Sequence, residues 1–226
     1  MEDDTIMGDA IVLNHVQKKY DQKIVINDVS LKIAKGDFVS IIGESGAGKS
    51  TLLNIMGLMD CATRGAVIIH NKKNPFFNSK EAMMLRRNSI GYLFQNYALI
   101  DDESVYYNLQ LGLKFKKNSK AENKRIISET LEKLGIENLL QSKIYQLSGG
   151  EQQRVAVARL LLQNNDIILA DEPTGSLDPK NKQIVINYLQ RFNEEGKTVV
   201  IVTHDEDIAK SCKKTINISD IEHQMH

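Results

Sequence analysis

The chain predicts an α/β fold with a mostly parallel sheet at its core, an antiparallel β part near the N-terminus and a helical lobe inserted in the middle. Three observations carry this expectation. Phe38–Ile42 is a short β-rich run that meets Gly43, and helix-compatible residues Ser50–Leu58 follow. From Asp166 onward, strand-like and helix-like segments alternate, which implies parallel strands joined by helical crossovers. Between Asn96 and Leu147 no segment reads as a strand.

The elements follow in order. Ala10–Val16 and Asp28–Ile33 alternate or cluster apolar residues as strands do. Ala66–His70 and Ile90–Phe94 read as further strands, with Glu81–Arg87 a short amphipathic helix between them. Ser104–Phe115 and Ser119–Leu134 set Leu and Ile at three-to-four spacing with Lys, Glu and Asn outside, the pattern of a helix with one buried face. Gly135 stops the second of these. Gln152–Gln163 is a helix, Asp166–Ala170 a buried strand, Lys180–Asn193 a helix, Thr198–Thr203 a strand and Asp205–Ser211 a short helix. Ser219–His226 reads as a frayed tail. Residues 1–226 are expected to form one domain, with a core from 1–95 and 151–226 and a helical subdomain at 96–150.

Composition narrows the function classes. Apolar residues are 42% and charged residues 26%, ordinary values for a globular protein. Twenty-nine basic residues balance 29 acidic ones, which argues against a nucleic-acid partner, because that surface needs a basic field. No apolar run exceeds four residues, whereas a bilayer span takes about 20. The acidic start Met1-Glu2-Asp3-Asp4 lacks the pattern of an export signal. Cys61 and Cys212 share no motif, and two isolated thiols suit a reducing cytosol. A membrane role therefore calls for a separate partner chain.

The chemistry is concentrated in a few runs. Gly43-Glu44-Ser45-Gly46-Ala47-Gly48-Lys49-Ser50 lies between a strand and a helix. A triphosphate is best held by many backbone N–H groups at a helix start, and glycines let the backbone wrap it closely. Lys49 adds a full charge, Ser50 offers a hydroxyl to Mg²⁺, and Thr51 can donate to a phosphate. Glu44 must then point away from the anion. Ile167–Ala170 is an apolar strand ending in Asp171-Glu172. Asp171 is positioned for the metal and Glu172 for polarising the attacking water as general base. Alone, this acidic pair reads equally well as a strand end or helix cap. Pro173 and the Ser176-Leu177-Asp178 run favour the chemical role. Leu147-Ser148-Gly149-Gly150-Glu151-Gln152-Gln153-Arg154 opens a helix, and Ser148 with Glu151 forms a capping box. The same capped start, with two adjacent glycines, leaves N–H groups free for a phosphate.

Taken together and in this order, these runs resemble the ATP-binding subunits of ABC transporters across about Ala10 to Ile218. The resemblance implies an ATP hydrolase using ATP and Mg²⁺, with Ser50, Gln95 and Asp171 around the metal. It implies that Tyr20 stacks on adenine and that Gln95 links the metal and water to the helical lobe. It implies that Ser148, Gly149, Gly150 and Glu151 serve the nucleotide of a second copy in a head-to-tail homodimer. Ser176, Leu177 and Asp178 then cross that interface, and His204 contacts the γ-phosphate. Outside the family context, Tyr20 reads as a half-buried surface tyrosine and His204 as a structural histidine. His223 and His226 read as tail residues and not as a metal pair.

Asn96–Asn108 follows Gln95 directly and mixes apolar Tyr97, Leu99 and Ile100 with Asp101, Asp102 and Glu103. Apolar residues clustered in a loop usually bind something, so these three are expected to meet a transmembrane permease subunit; the plainer alternative is a solvated loop capping a helix. The resemblance points to the compact ATPases of lipoprotein-release, macrolide-efflux and bacteriocin-export systems, working at the cytoplasmic face of the membrane on a peptide, lipoprotein or antimicrobial cargo. A rival reading is an ATPase that regulates a membrane-bound cell-wall enzyme without transport.

Overall fold

Residues 8–175 and 177–221 are described by a computed structural model. β1 (Asp9–Tyr20) and β2 (Lys23–Ala34) form an antiparallel hairpin that turns through Asp21 and Gln22, with Tyr20 opposite Lys23. β3 (Phe38–Ile42) runs into the Gly43–Gly48 loop, and α1 (Lys49–Met56) follows. β4 (Arg64–Ile69) pairs antiparallel with β1, Ile11 opposite Ile69, and β5 (Lys72–Lys73) completes a four-stranded sheet of order β2-β1-β4-β5.

After α2 (Lys80–Asn88) come β6 (Ile90–Leu93), α3 (Val105–Leu113) and α4 (Lys120–Lys133). Short 3₁₀ turns at Glu137–Leu139 and Ile144–Gln146 lead to α5 (Gly149–Gln163). The chain then alternates through β7 (Ile167–Asp171), α6 (Pro179–Glu194), β8 (Thr198–Val202), α7 (Glu206–Ser211), β9 (Lys214–Asn217) and α8 (Ile218–Ile221). The second sheet is parallel throughout, in the order β6-β7-β8-β3-β9.

This sheet is covered on both faces, which is why its inner strands read as continuous apolar runs. The two-residue period sorts them. Ile168, Ala170, Val199 and Ile201 pack with α3–α6, while Ile167, Leu169, Val200 and Val202 pack with α1 and the antiparallel sheet. Six helix starts are capped by short polar side chains that accept backbone N–H bonds: Ser79, Ser104, Ser119, Ser148, Asp178 and Asp205. The registers leave the strand ends level, with Asp171 and Ile41 both beside Val202. Every parallel strand thus delivers its following loop to one rim, where open α/β sheets bind ligands.

Several expectations need correction. Ala10–Val16 and Asp28–Ile33 are fragments of two 12-residue strands. Ala66–His70 lies in the antiparallel sheet, ending at Ile69. The Lys214–Asn217 strand was not expected, because a half-exposed edge strand of four mixed residues carries no clean period. The tail reading fails for Ser219–Ile221, which belong to α8; Ile218 is buried there, with its Cγ2 2.6 Å from the Cβ position at Gly43. His223 and His226 lie outside the described residues. A division at residue 150 falls inside the first turn of α5, whose buried residues join α3 and α4 to the parallel sheet in one cluster. Among the described residues no helix is long and apolar enough to cross a membrane.

Candidate functional site

The Gly43–Gly48 loop is shaped by its glycines. Gly48 has φ +84°, and a Cβ there would lie 2.7 Å from the Val25 carbonyl oxygen. A Gly48→Ala substitution is therefore expected to cost about 1–3 kcal/mol in backbone strain, with added crowding against β2. Urea unfolding measures this, and an unchanged midpoint would contradict the geometry. Lys49 is buried, and its Nζ donates to the carbonyls of Gly43 and Glu44, each at 2.8 Å. Glu44 itself is exposed and does not line the cavity, as the sequence requires.

A cavity of about 370 Å³ opens beside this loop. Ser45, Gly46, Gly48, Lys49, Ser50 and Thr51 form one wall, and Val25, Gln95, Glu172 and His204 complete it. Gly43 and Ala47 support the loop from behind: the Cβ position at Gly43 meets Ile218 and, at 3.7 Å, Ala47. The cavity thus gathers loops that follow β3, β6, β7 and β8.

Ser50 Oγ donates to Asp171 Oδ1 at 2.9 Å. Burial raises the Asp171 carboxyl above its ordinary range, and the neighbouring Glu172 charge adds to this; Ser50 and Lys49 oppose it. A carboxylate that desolvation makes costly is well matched to a cation. The donors are hard oxygens, a hydroxyl and one carboxylate, with the Gln95 amide on the same cavity. That set fits Mg²⁺, which takes one or two carboxylates plus substrate phosphates rather than an all-protein cage.

Glu172 has φ +41°, an uncommon conformation for a non-glycine residue. In that conformation its side chain meets Thr203 and His204, which follow β8. Its Oε2 accepts from Thr203 Oγ1 at 3.0 Å, and its Oε1 accepts from the His204 backbone N–H at 3.1 Å. His204 Nδ1 lies 2.8 Å from the same Oε1. Glu172 is mostly buried while His204 is 72% exposed in its side chain. The arrangement holds a carboxylate firmly at the cavity and leaves the imidazole open on its outer side.

Tyr20 does not line this cavity. It sits beside Thr51 on α1, its hydroxyl donating to Asp60, and Lys18 Nζ lies 4.6 Å from its ring centroid. Burial would raise the Asp60 carboxyl, but hydrogen bonds from Lys18 and Tyr20 outweigh that and hold it below the usual range. The ring is fixed on one side by this cluster.

Ser148, Gly149, Gly150 and Glu151 are also outside the cavity. Ser148 N–H and Oγ both donate to Glu151 Oε2, at 2.8 and 2.7 Å, and the Glu151 N–H donates back to Ser148 Oγ at 3.4 Å. These hydrogen bonds lower the Glu151 carboxyl. Ser148, Gly149 and Asp178 are exposed. Leu177 packs against the core cluster, and Ser176 lies outside the described residues.

The loop after Gln95 is tied down from within. Arg159 donates to the Tyr97 and Ala98 carbonyls at 2.9 and 2.6 Å, and the Asn108 side chain brackets Ile100 through both its N–H and its carbonyl. Tyr97 and Leu99 pack against the core, while Ile100 is exposed. Sequence reading did not single out Val25, Thr203, Lys18 or Asp60. Only Thr203 carried a signal, standing between a strand end and His204.

A family model described as "ABC transporter" matches residues 26–175. The macrolide export ATP-binding/permease protein MacB of Campylobacter jejuni is 41% identical over 210 residues, which cover 93% of this chain and 33% of that protein. The chain thus spans about a third of the length of the curated relatives it matches. Two solved structures of the ATP-binding cassette MJ0796 are each 41% identical. The first, a dimeric post-hydrolysis state bound to ADP and Pi, has a TM-score of 0.85 and covers 92% of this chain and 93% of its own. The second, a dimeric bacterial ABC transporter cassette, has a TM-score of 0.86 and covers 94% and 97%. The Gly43–Gly48 loop at the head of α1, the acidic pair at the end of β7 and the capped Gly-Gly start of α5, with this similarity over nearly the whole chain, establish that the chain belongs to the ABC transporter family, as an ATPase cassette.

Proposed function

We propose that two copies of this chain close head to tail over two ATP molecules and that hydrolysis reopens them to drive a separate permease. One observation carries the reading. The phosphate loop, Glu172 and His204 line one cavity, with Asp171 hydrogen-bonded to Ser50 in its wall, while the exposed Ser148 cap and Asp178 stand outside it. A second copy supplies what each cavity lacks, and the dimeric form of the solved relatives supports that arrangement.

In this reading Tyr20 stacks on adenine, and the backbone from Gly43 to Gly48 with Ser45, Lys49 and Thr51 holds the phosphates. Ser50 and Asp171, with Gln95 near, would hold Mg²⁺, which would neutralise phosphate charge. Glu172 accepts the proton of the attacking water, and Thr203 and His204 keep its carboxylate aimed. Ser148, Gly149, Gly150 and Glu151 close on the γ-phosphate of the other copy, and Ser176, Leu177 and Asp178 line the seam between copies.

The chain works at the cytoplasmic face of the membrane through its permease. The relatives named for macrolide export support export, and the cargo in this reading is a peptide, lipoprotein or antimicrobial. The contact surface starts at Tyr97, Leu99 and Ile100. A cavity of about 290 Å³ lies beside them, between Tyr92 and Phe94 of the core and Leu111 of the lobe. Tyr97 and Leu99 shape the loop from inside, and Ile100, 45% exposed, offers the apolar contact.

The test is purification of the tagged chain from membranes with its partner. Ile100→Asp is expected to reduce co-purification at least about tenfold, since burying an unpaired carboxylate costs more than 1.4 kcal/mol, while ATPase activity without the partner stays unchanged. Undiminished co-purification would remove Ile100 from the contact. A partner that binds a cell-wall hydrolase and moves no cargo would replace export with regulation.

A further inference from the structure

The first turns of α5 and α6 meet at one side chain, Asn181. Its Nδ2 donates to Asp178 Oδ2, and its Oδ1 accepts from Arg154 Nη1. The amide also presses on Gly150, where an added Cβ would collide with it. Both ends of the amide are thus committed, one to each helix. Asp178 is further held by the backbone N–H groups of Lys180 and Asn181, at 3.0 and 3.1 Å. Arg154 is half-buried, meets no carboxylate within ion-pairing distance among the described residues, and makes its hydrogen bond to the Asn181 carbonyl oxygen.

We propose that Asn181 is a positioning residue that locks Asp178 to the start of the signature helix, so that the Ser148–Glu151 cap and Asp178 enter the other copy's site as one unit. The inference rests on the composite-site reading above. Gln153 already ties α5 to the Pro173 carbonyl at 2.6 Å, but among the described residues the Asn181 amide is the side chain hydrogen-bonded to both Asp178 and α5. With it, a shift of Asp178 drags Arg154 and Gly150, and closure at one element is felt at the other. The residue touches no nucleotide. Its effect is on how two elements of one protomer arrive together at a second protomer.

The experiment uses the full chain with Glu172→Gln, alone and combined with Asn181→Ala or Asn181→Asp. Asn181→Asp is nearly isosteric and keeps the acceptor for Arg154, but sets a carboxylate against Asp178. Binding of a fluorescent ATP analogue to dilute protomers is expected to stay within about twofold of the parent, while the ATP-dependent dimer dissociation constant rises at least about tenfold, the scale of an ordinary coupling between sites. Asn181→Ala added to Asp178→Ala is expected to cause little further loss, because the two act through one contact. Dimers as tight as the parent's, or losses that simply add, overturn the proposal. So does a parallel fall in protomer ATP affinity and melting temperature, which marks local structure only. If Glu172→Gln alone fails to dimerise with ATP, the composite-site reading fails and this inference falls with it. If it dimerises and the Asn181 variants match it, only the inference falls.

Discussion

Glu172→Gln is expected to bind ATP as tightly as the parent chain and to lose turnover by about 10²–10⁴-fold, the usual contribution of a positioned general base. The geometry motivates both halves. Glu172 does not join the phosphate loop; its partners are Thr203 and His204. An amide of the same size keeps an oxygen for Thr203 or His204 but cannot accept a proton from water. Binding energy that normally ends in hydrolysis then holds the closed state. Size-exclusion with ATP and Mg²⁺ should show a persistent dimer, and phosphate release should stop. Normal turnover from an unchanged monomer would remove Glu172 from its role.

Lys49→Ala carries the second large effect. The Nζ is buried and already aimed by two carbonyl oxygens of the loop that would wrap the phosphates. Two charge-assisted hydrogen bonds to phosphate oxygens are each worth about 1.5–3 kcal/mol, so their loss is expected to weaken ATP binding by about 100-fold or more. Ala is a good helix former at this first position of α1, so melting temperature in the absence of ATP should fall little. Titration with a fluorescent ATP analogue decides. Affinity within a few-fold of the parent would mean that the loop backbone alone holds the triphosphate.

Much of this was legible because the chemistry lies at element boundaries. A strand that ends in glycines and restarts as a helix reveals the phosphate loop without any contact information. Ile167–Ala170 followed by Asp171-Glu172 does the same for the acidic pair. What stayed hidden depends on contacts between distant segments. Asn181 looks like one more polar residue in the first turn of α6, and its meeting with Arg154 and Gly150 arises only when α5 and α6 pack. Lys18 of β1 and Asp60, in the turn after α1, are 42 residues apart and meet only in the fold. Direction was hidden as well. An apolar cluster in a loop does not say which members turn inward, and positive φ at Tyr97 and Ala98 sends Tyr97 and Leu99 toward the core while Ile100 stays out. The short β9 and α8 were missed because their residues are mixed and largely exposed, unlike the equally short but mostly buried β6.

The composite site can be tested by mixing two damaged chains. One carries Lys49→Ala and lacks its own phosphate contact; the other carries Ser148→Arg, which blocks the cap it lends. Each alone should be inactive. In a head-to-tail pair of the two, both lesions fall in one site and the other site is intact, so mixing should restore ATPase activity, up to about a quarter of the parent's for random pairing with independent sites. No recovery on mixing, or full activity of the Ser148→Arg chain by itself at high dilution, would contradict the account.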